Sequence, residues 1–187
     1  MYSIIIFGPP GVGKGTQAKL ISDKLNLFHL STGEYLRKAI AEETELGRKA
    51  GEIVNKGHLV PDDIMIGIVK EALKDGIKEN GFILDGFPRT IEQAKALDIM
   101  LKELNLNNEI ILHLTADDNE IVRRLLLRGR ADDLEETIRH RLTVYSKETE
   151  PVINYYKNNA NVVTINGVGE VNDINKIVLE KLNALRN

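Results

Sequence analysis

Short apolar runs alternate along the chain with longer stretches whose apolar positions recur at helical spacing. Ser3-Ile4-Ile5-Ile6-Phe7 carries no charge and ends at Gly8. A half-exposed strand would alternate apolar and polar positions, so this run predicts a strand covered on both faces. Phe28-His29-Leu30, Phe82-Ile83-Leu84, Ile110-Ile111-Leu112-His113-Leu114 and Val162-Val163-Thr164-Ile165 predict four further strands. Between Lys14 and Leu25, apolar Ala18, Leu20, Ile21 and Leu25 fall near the helical period. Helical patterns fill the intervals between the other runs as well. The expected fold is therefore α/β: a five-stranded parallel sheet with helices on both faces, joined by right-handed crossovers.

Two segments depart from this alternation. Thr32 to Lys74 is too long for one crossover helix, and Gly47, Gly51, Gly57 and Pro61 are expected to break it into helical pieces, giving a small helical insertion. Gly129-Arg130-Ala131-Asp132-Asp133 is a short polar connection between two helical patterns. No internal repeat or long linker interrupts the chain.

Composition narrows the function without naming it. The 187 residues suffice for one domain with a sizeable core, and 42% hydrophobic with 28% charged residues is ordinary for a globular protein. A formal net charge of -3 supplies no basic field for nucleic acid. The apolar start, Tyr2 to Phe7, is too short to span a membrane and lacks the form of a signal peptide. The expected compartment is the cytoplasm, with no membrane partner. Without cysteine there is neither a disulfide framework nor a thiolate metal site. His29, His58, His113 and His140 form no ligand-spaced pair and read as structural or exposed.

The chemistry begins at Gly8-Pro9-Pro10-Gly11-Val12-Gly13-Lys14-Gly15-Thr16, which follows the first strand and opens the first helix. Glycines let main-chain N–H groups approach phosphate oxygens, and the helix N-terminus adds positive potential. Lys14 supplies a mobile charge for the outer phosphates, and Thr16 can reach a Mg²⁺ ion. The general pattern places Ser or Thr directly after the lysine, but here Gly15 intervenes.

Phe82-Ile83-Leu84-Asp85-Gly86-Phe87-Pro88-Arg89-Thr90 is the second strong signal. A strand delivers Asp85 at its carboxyl end, where ligands bind in open α/β sheets. There a carboxylate can order Mg²⁺ and its waters, and Arg89 can grip a phosphate with its planar fork. Taken alone, Asp-Gly is also an ordinary turn.

Together these two motifs closely resemble those of the adenylate kinases among the nucleoside monophosphate kinases, whose phosphate loop carries the glycine found here at Gly15. The resemblance covers essentially the whole chain. It implies a P-loop NTPase-type sheet with a core at 1–30, 61–126 and 134–187, a helical AMP-binding arm at 31–60 and a short lid at 127–133. It further implies transfer of a phosphoryl group from Mg-ATP to AMP, giving two ADP. Gly11, Val12, Gly13, Lys14, Gly15 and Thr16 would hold the ATP phosphates, with Gly169 of Gly167-Val168-Gly169 touching its adenine.

On the AMP side the resemblance names Thr32 and Arg37, then His58, Leu59 and Val60 walling the base, then Gly86, Phe87, Pro88 and Arg89, and Gln93 on the base itself. Individually these also read as a helix cap, a surface arginine, a turn and an exposed amide. Arg124 and Arg128, four residues apart, share one helix face. Arg139 and Arg141 lie about 200° apart on a helix, so both cannot point into one cleft. The resemblance selects Arg141, with Arg130, to bridge the transferring group, and gives Arg124 and Arg128 to ATP. Lys14, Arg89, Arg124, Arg130 and Arg141 are thus the expected catalytic groups, and Thr16 and Asp85 the expected Mg²⁺ contacts, Asp85 through water. Between Arg128 and Asp133 there is no room for a metal-binding flap, so the resemblance is to short-lid members without structural zinc.

Such chemistry rests on positioning and electrostatics, and needs no general base because the acceptor phosphate is already anionic. UMP/CMP kinases share the short lid and most motifs, but tend to have alanine where Thr32 stands and asparagine soon after the Pro-Arg pair. A nucleotide-controlled switch is a different class. A guanine switch would need an Asn-Lys-x-Asp stretch, and neither Asn55-Lys56-Gly57-His58 nor Asn175-Lys176-Ile177-Val178 has the aspartate. A monomer is expected by family analogy.

Overall fold

The computed structural model describes residues 1–106, 108–130, 132–157 and 160–185. Ala131, inside the expected lid, lies outside them, as do Asn107, Asn158, Asn159, Arg186 and Asn187 of the expected core. Among the described residues, β1 (Tyr2–Phe7), β2 (Phe28–Ser31), β3 (Gly81–Asp85), β4 (Glu109–Thr115) and β5 (Asn161–Asn166) form one sheet in the order β2-β3-β1-β4-β5. Every pairing is parallel. β2, β3, β4 and β5 extend beyond their apolar runs onto Ser31, Asp85, Glu109, Thr115, Asn161 and Asn166, because main-chain pairing continues where side chains have turned polar.

All six residues of β1 are buried, and its side chains divide between two cores. Ile5 and Phe7 join Phe82, Leu84 and Ile111 on one face. Ile4 and Ile6 join Ile83, Leu112 and Leu114 on the other. The second face is covered by α1 (Lys14–Leu25) and α9 (Val171–Ala184), through Ala18, Ile21, Val178 and Leu182. The first is covered by α4 (Asp62–Gly76), α5 (Ile91–Glu103) and α8 (Glu150–Tyr156), through Val69, Leu97, Leu101 and Val152. Cover on both faces is why the central strands read as unbroken apolar runs.

The segment after β2 corrects one sequence expectation. It holds α2 (Thr32–Ala41) and α3 (Glu45–Asn55) before α4, but Gly47 and Gly51 lie inside α3 and break nothing. The break falls instead at Glu43, whose φ is 50°, and at Thr44, whose hydroxyl caps α3 by accepting from the Gly47 N–H at 3.0 Å. Gly47 serves packing: a Cβ there would run into the Ala39 carbonyl of α2. Only a residue without a side chain lets the two helix backbones approach this closely. Gly57 and Pro61 do mark ends, since α3 stops before Gly57 and α4 starts after Pro61. Later in the chain α6 (Asp118–Arg128) and α7 (Glu135–Val144) flank the short polar connection, and a π-helical turn, Tyr145–Thr149, joins α7 to α8. No helix among the described residues is long and apolar enough to cross a membrane.

Candidate active site

The carboxyl ends of β1, β2 and β3 open onto a cavity of about 560 Å³, a size suited to small-molecule ligands. Its floor is the loop between β1 and α1. Gly13 has φ 103°, a conformation that favours glycine, and a Cβ there would meet nothing within 4 Å, so its main chain is open to a ligand. Gly15 faces the opposite situation, since a Cβ would stand 3.3 Å from Asp85 Oδ2. That closeness is a physical reason for glycine between Lys14 and Thr16.

Lys14 Nζ folds back on this loop, donating to the Gly8 carbonyl at 2.7 Å and the Pro9 carbonyl at 2.9 Å. Some of its surface still meets the cleft, but protein atoms surround it. Burial lowers its pKa to about 8; Asp85 opposes the shift, while Arg89, Arg141 and Arg128 add to it.

Asp85 ends β3, buried, and its carboxylate accepts from Ser31 Oγ at 3.3 Å. Its main-chain carbonyl accepts from the buried Thr32 hydroxyl, also at 3.3 Å. Arg89 follows four residues later and folds back so that Nε donates to the Gly86 carbonyl at 2.8 Å. The Arg89 main chain is held from two sides. Its N–H donates to Gln93 Oε1 at 2.7 Å, and its carbonyl accepts from Thr149 Oγ1 of the π-helical turn at 3.1 Å. Burial pulls the Arg89 pKa down, Asp85 resists, and Arg141 and Arg37 lower it further.

Arg37, Arg124, Arg128, Arg130 and Arg141 line the same cavity as Lys14 and Arg89. Burial followed by neighbouring cations depresses Arg37, so positive charge has been gathered here against its own repulsion. Acidic side chains hold Arg124, Arg128 and Arg141 in place. Arg124 donates to Glu120 Oε1 at 2.6 Å and to the Gly167 carbonyl at 2.9 Å. The hydrogen bonds from Arg123 and Arg124 pull the Glu120 carboxyl down to about 2. Arg128 grips Asp133 with two bonds, at 2.8 and 2.6 Å, while Arg141 pairs with Asp132 at 2.7 Å. Burial works against the Asp133 charge, but hydrogen bonds from Arg128 and from the Arg130 N–H prevail and keep its carboxyl below the usual range. Arg139 points away and pairs with Glu135, as the helical angle between it and Arg141 requires.

Gly11, Gly13, Lys14, Gly15, Thr16, Thr32, Arg37, His58, Leu59, Val60, Asp85, Gly86, Pro88, Arg89, Gln93 and the four later arginines all line the cavity. Val12, Phe87 and Gly169 are not among its lining residues. The Val12 and Phe87 side chains are packed in the two cores, which leaves only their main chains for a ligand. Gly169 is exposed with open space around it, and it is Gly167 that reaches the site, through Arg124.

One contact between histidines lies beyond anything local spacing shows. His58 Nδ1 and His140 Nε2 stand 3.2 Å apart with their rings edge to face, although 82 positions separate them in the chain. The supporting roles of Asp62, Glu120, Asp132, Asp133 and Thr149 were likewise missed. The Asp132-Asp133 pair beside the lid arginines was the signal available for two of them.

The donor set suits a hard cation. Thr16 brings a hydroxyl and Asp85 a carboxylate to the cavity floor, close to the Gly15 main chain. No group of three or more His, Cys, Asp or Glu able to hold a metal occurs among the described residues. A Mg²⁺ ion carried by phosphates needs only one or two protein oxygens, so the two observations agree.

The family model for adenylate kinase matches residues 6–161. An adenylate kinase of Azobacteroides pseudotrichonymphae is 47% identical over 189 aligned residues, covering 99% of both chains. One from Leptospira biflexa is 45% identical over 186 residues, covering 97% of this chain and all of its own. Another from Archaeoglobus fulgidus is 41% identical, covering 96% of this chain and 99% of its own. With the phosphate loop, the Asp85–Arg89 turn and the gathered arginines all meeting in one cavity, the chain belongs to the adenylate kinase family.

Proposed function

We propose that this chain catalyses reversible phosphoryl transfer from Mg-ATP to AMP, yielding two ADP, with the cavity residues in the roles that follow. The observation that carries the reading is the convergence of Lys14 and six arginines (Arg37, Arg89, Arg124, Arg128, Arg130 and Arg141) on one cavity. A site so charged suits two polyanionic ligands meeting phosphate to phosphate. Gly11 to Thr16, Arg124 and Arg128 hold the ATP. Thr32, Arg37, Gln93 and the 57–60 stretch hold AMP, and Arg89, Arg130 and Arg141 meet the group in flight. Core, AMP arm and short lid divide as 1–30 with 61–126 and 134–187, 31–60, and 127–133.

Transfer between phosphates spreads charge over equatorial oxygens, so fixed cations lower the barrier most. Thr16 and, through water, Asp85 would hold the Mg²⁺ that arrives with ATP and that neutralises its outer phosphates. Asp132 and Asp133 pair with Arg141 and Arg128, and ligand phosphates would compete with them for these cations. Assembly of the arginines around bound substrates excludes water, the competing acceptor. A cytoplasmic location and, by family analogy, a monomer complete the proposal.

The acceptor panel tests it. With Mg-ATP, AMP should exceed CMP and UMP by at least about tenfold in kcat/KM, since a buried polar group left unpaired costs about 1–3 kcal/mol. Equal or better turnover of CMP would move the chain's activity to the pyrimidine nucleotides.

The Lys14 pKa of about 8 gives a pH-dependent binding test. Phosphate favours the charged ammonium, so ATP binding raises this pKa and takes up a proton. Affinity is then fully present below about pH 8 and declines above it. Calorimetric ATP titrations from about pH 7 to about pH 9.5 should show that decline, and Lys14→Met should abolish it. The same slope in Lys14→Met would remove the lysine from this role.

A further inference from the structure

Gln93 lies on the cavity wall but is almost wholly buried, 2% exposed, so its side-chain amide must find partners within the protein. It has two. Its Oε1 accepts from the Arg89 N–H at 2.7 Å, and its Nε2 donates to Asp62 Oδ1 at 2.7 Å. Asp62 opens α4 and does not line the cavity. Its second oxygen accepts from the Thr90 hydroxyl at 2.9 Å, and that hydroxyl accepts from the Gln93 N–H at 3.2 Å while capping α5. The three residues form a ring behind the cavity wall, closed by the Gln93 main-chain N–H.

A primary amide can occupy the same volume in two orientations that exchange C=O and NH₂. Here one is strongly preferred. Flipping Gln93 would set its NH₂ against the Arg89 N–H, donor against donor, and its oxygen against the Asp62 carboxylate, acceptor against acceptor. In the observed orientation one N–H and one oxygen lone pair remain unspent.

We infer that Asp62 is a specificity-determining positioning residue, whose carboxylate holds the Gln93 amide in the orientation that reads an adenine edge. Resting on the proposed AMP role of Gln93, this adds a cause for base discrimination outside the cavity lining. Adenine offers a ring-nitrogen acceptor beside an amino donor, which matches the unspent N–H and lone pair. Hypoxanthine has the same size but reverses the pattern, with a ring N–H beside a carbonyl. It would pair only with the flipped amide, and Asp62 opposes that flip. Neither Asp62 nor Thr90 needs to touch the base.

The test is the ratio of kcat/KM for AMP to that for IMP, with Mg-ATP as donor. Both values come from one preparation, so a loss of folded protein cancels. Asp62→Asn exchanges the obligate acceptor for an amide that can face either orientation. It should lower the ratio by about tenfold, the worth of roughly one hydrogen bond, with the change in KM for the acceptor and KM for ATP unmoved. Asp62→Ser, which removes the carboxylate altogether, should lower it in the same direction. An unchanged or raised ratio in both variants overturns the inference. Gln93→Ala separates the two levels. If it too leaves the ratio unaltered, Gln93 does not face the base and the functional reading fails there. If it collapses the ratio while both Asp62 variants retain it, only the role given to Asp62 is lost.

Discussion

Arg89→Ala is expected to slow turnover by ~10²-fold or more, by analogy with the loss of one preorganised donor to a developing charge. The protein should still fold. The bonds that fix this stretch use main-chain atoms, the N–H to Gln93 and the carbonyl to Thr149, and both survive the substitution. The side chain contributes its bond to the Gly86 carbonyl and its attraction to Asp85, but it is also a half-buried cation facing Arg37 and Arg141, so its removal relieves repulsion as well as losing those contacts. Arg89→Lys should fall between the two, because it keeps the charge and loses the planar fork. Steady-state kinetics beside a thermal melt gives the answer. Near-normal turnover in Arg89→Ala would take Arg89 out of the reaction, and a lost melting transition would show that its role is structural.

The second large effect is expected for a diadenosine compound with a polyphosphate bridge long enough to occupy both proposed sites. Gly13, Lys14 and Arg128 share one continuous cavity with Thr32, Arg37 and Gln93. Joining the two halves makes the second binding event intramolecular. Affinity should therefore exceed that of ATP or AMP alone by about 10²- to 10⁴-fold. At one hundred times its Kd the ligand should stabilise the fold by ~2.7 kcal/mol, visible as a raised Tm. Arg89→Ala should weaken this ligand more than it weakens ATP. Binding no tighter than ATP, or a failure of AMP to compete, would sink the two-site reading.

Much of the fold was legible in residue order because the relevant physics is local. A strand covered on both faces must be apolar throughout, and Ile4 to Phe7 announce that without reference to any partner. The phosphate loop is legible for the same reason: strand, glycines, lysine and helix are contiguous, and their geometry follows from main-chain conformation. The 200° between Arg139 and Arg141 likewise follows from helix pitch, and the structure sends one outward and the other into the cavity.

What tertiary structure decided is which distant groups meet. A helical period says which face is buried but not what lies opposite, so Gly47 read as a breaker until α2 appeared against it. Residue order placed Val12 and Phe87 in binding motifs, yet the sheet faces claimed their side chains. The contact between His58 and His140 has no counterpart in local spacing. Nor does the bond from Gln93 to Asp62, across 31 positions, because an exposed-looking amide and a helix-opening aspartate are each satisfactory alone. Partner identity is a property of how elements pack, and packing is settled only when burial, hydrogen bonding and charge are satisfied together.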